Sequence, residues 1–595
     1  MPATDAAILA RLRQPLVTAP ADATTFRLGI VLNGTVSAGA WTAGVLDFLI
    51  EALDAWEEAK RAGEDVPRHS VRLEILGGAS GGGVCAALLA RAATCRFRHA
   101  RTAAGAPGNP FWDTWVERLD LAPMLGTADL ADPAAPAASA LDGQAIEQAA
   151  RLILDWAPGA TPGVAALDTP RAWLADPFRV LLTLTNLRGV PYAIDFAPPA
   201  PATPGAAPPP RASHHLDHAD HALFAFPLRP GAPPADLRGD EWAVGPDFAR
   251  DRADWARFAA YVRATSAFPG GFPPVRLERP AEHYRWRAAL LPGWIGADGT
   301  LHPPRPRLRV PRWEALPPEH RPGPDGRYVF DCVDGGALNN QPVELVRLAL
   351  AGLGRSLERD GRKASAAVLL IDPFAAAPRA PLPSAPPDLA ALAGRLIGAW
   401  TAQARFATSD LLLALEDGVA SRFLLTAGRQ APDGTTLWGG EALAGAGLGA
   451  FLGFLDRDLR VHDYLLGRRN CRDYLASHFV LPETNPLFGG LAARAPGVAR
   501  EYRGRAPGTR LTIPVGAGPR APLPPPAGPG AGRLGADVLE SRLRARLRRV
   551  ARRLAAGHGI GAPWAGLAAR LVARKGAAAI ARELRKGLAT LERPG

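Results

Sequence analysis

Apolar residues in the first hundred positions form two short runs, each followed by a longer stretch of helical period. Leu28–Asn33 ("LGIVLN") is a continuous apolar segment closed by a turn signal, which predicts a buried strand. The small-residue loop "GTVSAG" follows, then a helix from about Ala40 past Ala59. Val71–Leu76 repeats the scheme, with a strand, a glycine-rich corner and a helix to about Ala93. Strand, loop and helix twice in succession predict a parallel sheet with helices on its faces. Leu28–Leu46 lacks formal charge over 19 residues, nearly a membrane span. Asn33-Gly34 breaks it, Thr35, Ser37 and Thr42 interrupt it, and its period changes midway. It reads as strand, loop and helix.

Further strands are predicted at Val180–Thr185, Tyr328–Val333 and Ala366–Ile371. "APPAPATPGAAPPP" opens a Pro/Ala-rich insertion at about 197–225, read as a surface loop. A second Pro-rich break, Ala376–Pro387, ends an α/β part spanning 1–375. Residues 388–512 read as a mainly helical extension, 513–532 as a Pro/Gly linker and 533–595 as a basic helical tail. The expected fold class is α/β, a three-layer α/β/α domain with a helical C-terminal extension.

Composition sharpens this picture in three places. Hydrophobic residues at 47% supply a large core, and 21% charged residues argue against wholesale disorder. The net charge of +12 is carried by the tail: Ser541–Gly595 holds 14 Lys/Arg against Glu583 and Glu592. The body is formally neutral, so specific nucleic-acid binding is not expected of it. Cys85, Cys95, Cys332 and Cys471 are scattered without a C-x-x-C pair, which argues against a disulfide framework or zinc site. The N-terminus lacks a signal-like apolar segment, and a cytoplasmic location is expected.

Three segments carry candidate chemistry. "LGGASGGGV" contains Gly78-x-Ser80-x-Gly82, the spacing that exposes a serine hydroxyl on a tight strand-to-helix turn. The bland alternative is a glycine-rich helix entry with a capping serine. The loop "NGTVSAG" runs into a helix beside the nucleophile's strand, a place for backbone N–H groups facing an oxyanion. Taken alone, it reads better as an ordinary βα turn. "YVFDCVDGGALNNQPVE" places Asp334 at the end of an apolar strand, followed by two glycines.

"LGIVLNGTVSAGAWTAGVLDFL", "LGGASGGG", "YVRATSAFPGGFPPV" and "VDGGALNNQPV" stand in the order and spacing of the patatin-like phospholipases. The resemblance covers about Leu28–Phe374 and is closest to bacterial members with a long C-terminal region. It implies a serine acyl hydrolase of lipid esters working through a Ser80–Asp334 dyad, with neither metal nor cofactor. It puts Gly34, Thr35 and Val36 at the oxyanion hole, and Gly78 and Gly82 at the nucleophile elbow. The chain departs from the family in this loop: Gly34 and Gly39 match the pattern G-G-G-x-R-G, whereas its middle glycines and arginine are missing. The runner-up is therefore a non-catalytic lipid-binding or scaffold protein with a degenerate oxyanion loop, and the third reading is a soluble-substrate esterase.

Other candidates are weighed beside these. His462 and His478 follow Asp334 and could complete a triad, but His478 in "YLASHFVLP" reads as a buried structural histidine. His214, His215, His218 and His221 have helix-compatible metal-ligand spacing, yet the preceding insertion favours a solvated loop. Ala442–Leu455, with Gly445, Gly449 and Gly453, reads as a buried helix or as an element contacting acyl chains or membrane. In the tail, Leu543, Leu547, Val550 and Leu554 form an apolar stripe among arginines, the pattern of peripheral membrane association.

Overall fold

The computed structural model describes residues 4–557 apart from 19–22, 133–135, 196–211, 230–236, 432, 447–449, 517–535 and most of 376–418. Of 558–595 it describes only Arg570 and Arg574. Residues 517–532 of the linker and the Pro-rich part of the insertion thus lie outside the described residues.

The architecture is α/β, a mixed and mostly parallel sheet with helices on both faces. Strand β1 (Thr25–Leu32) leads through the GTVSAG loop into helix α1 (Gly39–Ala62), and β2 (Ser70–Gly78) leads directly into α2 (Ser80–Ala92). There follow β3 (Leu174–Asp195), β4 (Ala212–Phe226), β5 (Glu241–Ala243), α3 (Arg252–Thr265), β6 (Val275–Pro280) and β7 (Arg327–Asp334). The remaining main elements are α4 (Val343–Ala351), β8 (Ala366–Ile371), β9 (Arg422–Leu425), α5 (Arg457–Leu475) and α6 (Ala536–Gly557). Sheet order is β9-β8-β1-β2-β3-β7-β6, with β4 paired to β3 and β5 to β4.

Alternation sorts the side chains. Leu28, Ile30, Leu32, Val180 and Leu182 enter the main core, to which α1, α2, α3 and α5 contribute. Val31, Ile75, Leu181 and Val368 meet α4 on the other face. Both faces are covered, which is why these strands read as continuous apolar runs.

Strand β3 is far longer than the predicted Val180–Thr185. One edge pairs in parallel with β2 through Leu174 and Arg179–Leu182, while β4 runs antiparallel along the other edge from Phe178 to Asp195. Strand β7 meets β3 just beyond the β2 stretch, through Cys332↔Asn186 to Asp334↔Leu184. It therefore runs against its neighbour and still delivers Asp334 to the carboxyl end of the parallel strands.

Three expectations are corrected. The four histidines lie on β4 rather than in a solvated loop, because pairing with β3 continues through Ala212. His214 and His215 are exposed, and His218 Nδ1 meets the Asn186 carbonyl at 2.7 Å. Burial, then Arg287, Arg279 and Arg238, hold His221 well below the usual histidine range. Among the described residues no three His, Cys, Asp or Glu side chains group as metal ligands.

Residues 388–512, read as mainly helical, are mixed. They supply β9 to the main sheet, a small hairpin of Gly428–Gln430 with Thr436–Trp438, and an antiparallel pair of Val480–Pro482 with Thr509–Leu511. Their main helix, α5, crosses α1 where both lack side chains. A Cβ on Gly44 would lie 1.9 Å from the Tyr464 carbonyl oxygen, and one on Gly467 2.0 Å from that of Trp41. By length and composition the helical stretch Val36–Ala62 could cross a membrane, but 78% of its apolar window is buried inside the molecule. His478 is exposed, stacked on Tyr474, because Phe479 takes the core position beside it.

The apolar stripe of α6 faces the body along its first half. Leu539 and Leu543 are buried against Leu125, Ala444, Leu452 and Leu459, while Leu554 is exposed. Arg546 is fully buried: it pairs with Asp129 and donates to the carbonyls of Gly126 and Ala140.

Candidate active site

Ser80 opens α2 at φ +52°, in the left-handed region that a non-glycine residue occupies only at a cost. The turn is possible because its flanks lack side chains. A Cβ on Gly82 would lie 2.3 Å from the Leu32 carbonyl oxygen, and one on Gly78 2.8 Å from the Gly82 carbonyl oxygen. These clashes are with backbone, which cannot step aside. The G-x-S-x-G spacing is thus enforced by close approach of β1 to the first turn of α2.

The Asp334 carboxyl faces the Ser80 hydroxyl, whose nearness lowers its pKa, and accepts from the Gly336 N–H at 2.7 Å. Asp334 is only 3% exposed, and burial raises its pKa to about 7 despite those two groups. Its backbone is fixed from both sides: its N–H donates to the Ala267 carbonyl, and its carbonyl accepts from Thr185 Oγ1 at 2.8 Å. A buried carboxyl poised near neutrality is suited to taking and returning a proton.

The loop Gly34-Thr35-Val36 stands around Ser80. A Cβ on Gly34 would fall 3.2 Å from the Ser80 Cβ, Thr35 Oγ1 lies over Gly81, and Val36 lines the pocket that Ser80 enters. Val36 occupies φ +49°, a strained conformation for a β-branched residue. The left-handed turn expected of glycine is therefore made here by valine. The N–H groups of Gly34 and Thr35 have no backbone acceptor among the described residues. Those of Gly81 and Gly82 lie in the first turn of α2, where a helix supplies no acceptor.

The pocket at Ser80 is a cavity of about 70 Å³, walled by Val84, Trp115, Leu119, Met124, Phe451 and Phe454. Outside 447–449, the apolar run Ala442–Leu455 contains a turn at Ala444–Gly445 and a short 3-10 segment, Leu452–Phe454, and two of its phenylalanines form pocket wall. A larger cavity, about 260 Å³, lies between Ile75, Leu181 and Leu223 on the sheet face of α4, remote from Ser80.

Several supporting residues carried no assigned role in the sequence reading. Thr265 Oγ1 accepts from the Ser80 N–H at 3.1 Å, and both Thr265 and Ser266 lie in the quoted segment "YVRATSAFPGGFPPV". Asn340 donates to Asn33 Oδ1 at 2.5 Å, and Asn33 donates to Asp372 at 2.6 Å, bracing the Gly34–Val36 loop from behind. Asn340 belongs to the quoted "NNQPV"; Asp372 had no signal. His462 is buried beside Asp463 on α5, and neither it nor His478 bonds to Asp334.

No protein-family model matches the chain. Among curated proteins it is similar to the uncharacterized protein y4iI of Sinorhizobium fredii (strain NBRC 101917 / NGR234), at 33% identity over 494 residues. That alignment covers 78% of this chain and 66% of y4iI, so the chain spans just under two thirds of its relative's length.

Proposed function

We propose that the chain is a serine acyl hydrolase of the patatin-like type, cleaving lipid acyl esters through Ser80 and Asp334. The observation that carries this reading is the strained Ser80 turn, with its hydroxyl beside a buried carboxyl at the mouth of an apolar pocket. Asp334 takes the hydroxyl proton as Ser80 Oγ attacks the ester carbonyl. The carbonyl oxygen becomes an oxyanion facing the N–H groups of the Gly34–Val36 loop and of Gly81. Collapse expels the alcohol, which leaves with the proton from Asp334, and an acyl group remains on Ser80. Water, losing its proton to Asp334, then attacks the acyl carbon; the bond to Ser80 Oγ breaks, Asp334 returns the proton to Ser80, and the acid is released. General-base assistance is worth about 10²–10⁴-fold, and one oxyanion donor about 10²–10³-fold. The acyl chain lies against Trp115, Phe451 and Phe454, and attachment to a membrane surface brings the enzyme to its substrate.

Turnover of a short-chain p-nitrophenyl ester tests this, with Ser80→Ala and Asp334→Asn beside the unmodified chain. Loss in both variants, with fluorophosphonate labelling of Ser80, supports the dyad. Equal rates in all three would sink it, and a failure to label would turn the reading to a non-catalytic lipid-binding protein.

A further inference from the structure

We propose that the ribbon Ala288–Leu308 is a membrane-contacting arm whose partner is an anionic bilayer surface. The inference does not depend on the chemistry at Ser80. Ala288–Leu291 pairs antiparallel with Arg305–Leu308, and Trp294–Ile295 with Leu301–His302. The tip is closed by the Gly296 N–H on the Thr300 carbonyl, with the Asp298 carboxylate accepting from the N–H and hydroxyl of Thr300. The base of the ribbon is anchored, since Ala288 and Leu308 pack against Ile8, Leu12 and Leu353.

Beyond that base the apolar groups are uncovered. Trp294 is 59% exposed, and Ile295 and Leu301 are each 70% exposed. Ile295 stands opposite Leu301, while Trp294 is paired with His302 and stacked on its ring at 3.8 Å. Because side chains alternate along a strand, these two pairs occupy opposite faces. A two-stranded ribbon has no second layer and is marginal on its own. Apolar groups on both faces of its tip mark a surface that has a partner.

Charge selects the partner. Asp298 is the only acid in 288–308, and it is engaged in the turn. Arg305 and Arg307 are exposed, and neither forms an ion pair among the described residues, whereas Arg309 pairs with Asp217 and Arg312 with Glu314. A second copy of the ribbon would set arginine against arginine. An anionic bilayer meets both features, because tryptophan and aliphatic side chains favour the headgroup–acyl boundary and each arginine near the surface adds about 1 kcal/mol. The tail competes poorly for this role, because the first half of its apolar stripe is docked on the body. The ribbon rises from the α4 face of the sheet, so it tethers the molecule without forming part of the acyl pocket.

The test is cosedimentation of the full chain with vesicles of phosphatidylcholine alone or of equimolar phosphatidylcholine and phosphatidylserine. Ser80→Ala serves as background so that vesicles stay intact. Binding to the anionic vesicles should fall at least about tenfold in the triple variant Trp294→Ser/Ile295→Ser/Leu301→Ser and in Arg305→Glu/Arg307→Glu. With Ser80 present, both variants should hydrolyse a soluble p-nitrophenyl ester at the unmodified rate, which separates failure of the arm from failure of the hydrolase reading. Undiminished binding in both variants overturns the proposal, as does absence of binding by the unmodified chain. A triple variant that turns a dimer into a monomer without changing vesicle binding also overturns it, in favour of a second copy. The charge-reversal pair keeps the test decisive if the triple variant fails to fold.

Discussion

The hydroxyl of Ser37, just past the loop beside Ser80, donates to the carbonyl of Ala450, 413 positions along the chain. Arg460 of α5 binds the Gly453 carbonyl at 2.9 Å, and Asp463 accepts from the N–H groups of Ala444 and Gly445. The C-terminal region thus holds both the Gly34–Val36 loop and the pocket wall in place. Ser37→Ala should lower kcat on the p-nitrophenyl ester by about tenfold with little change in KM. Such a split follows from losing one buried hydrogen bond of about 1–1.5 kcal/mol behind the oxyanion loop. An unchanged kcat would mean that the contact does not position the loop.

In the proposed mechanism Asp334 makes the reaction pH-dependent near neutrality. Only the carboxylate accepts the Ser80 proton, and its pKa is about 7. The rate should therefore climb through pH 7 and level off above it. Asp334→Asn should be slow at every pH, with no such limb. A limb centred near the ordinary aspartate value would show that the carboxyl is hydrated during turnover.

The same raised pKa has a stability consequence of definite sign. Between about pH 4 and pH 7 the folded chain holds a proton on Asp334 that the unfolded chain has released, so stability falls as pH rises. Asp334→Asn escapes this loss. Its unfolding free energy should match the unmodified protein near pH 4 and exceed it by about 2–4 kcal/mol at pH 8. Denaturant unfolding at the two pH values measures the difference.

Ser80 at φ +52° gives a comparison free of catalysis. Ser80→Gly relaxes the left-handed backbone, whereas Ser80→Ala retains it. The glycine variant should be more stable than the alanine variant by about 1 kcal/mol, and both should be inactive. Equal thermal midpoints would count against a strained elbow.

Asp47 on α1 is fully buried and bonds to His99, Asn109 and Arg468 of α5. Burial alone would raise its pKa, but Arg468 first and then His99 and Asn109 outweigh it, holding the carboxylate below its usual range. Asp47→Ala leaves the Arg468 charge to Glu51 and strands the His99 and Asn109 side chains, and should destabilise the protein by about 2–4 kcal/mol. Equilibrium unfolding checks this; a loss below 1 kcal/mol would mean that the network is hydrated.

The sequence by itself determined what is local. Apolar runs before Asn33 and Ser80 located β1 and β2 because both faces of those strands are buried, and Ala366–Ile371 was delimited to the residue. Gly78 and Gly82 were legible because close backbone approach demands an absent side chain. Ser80 and Asp334 were named on spacing and strand context. Only the tertiary structure decided what depends on distant pairing: that β4 recruits the histidine segment, that β9 joins the sheet from the C-terminal region, and that Phe451 and Phe454 wall the pocket. It also decided that the tail's apolar stripe lies against the body while Trp294, Ile295 and Leu301 stay exposed. An apolar pattern states that a face is suited to cover, but what covers it depends on which other face the folded chain brings alongside.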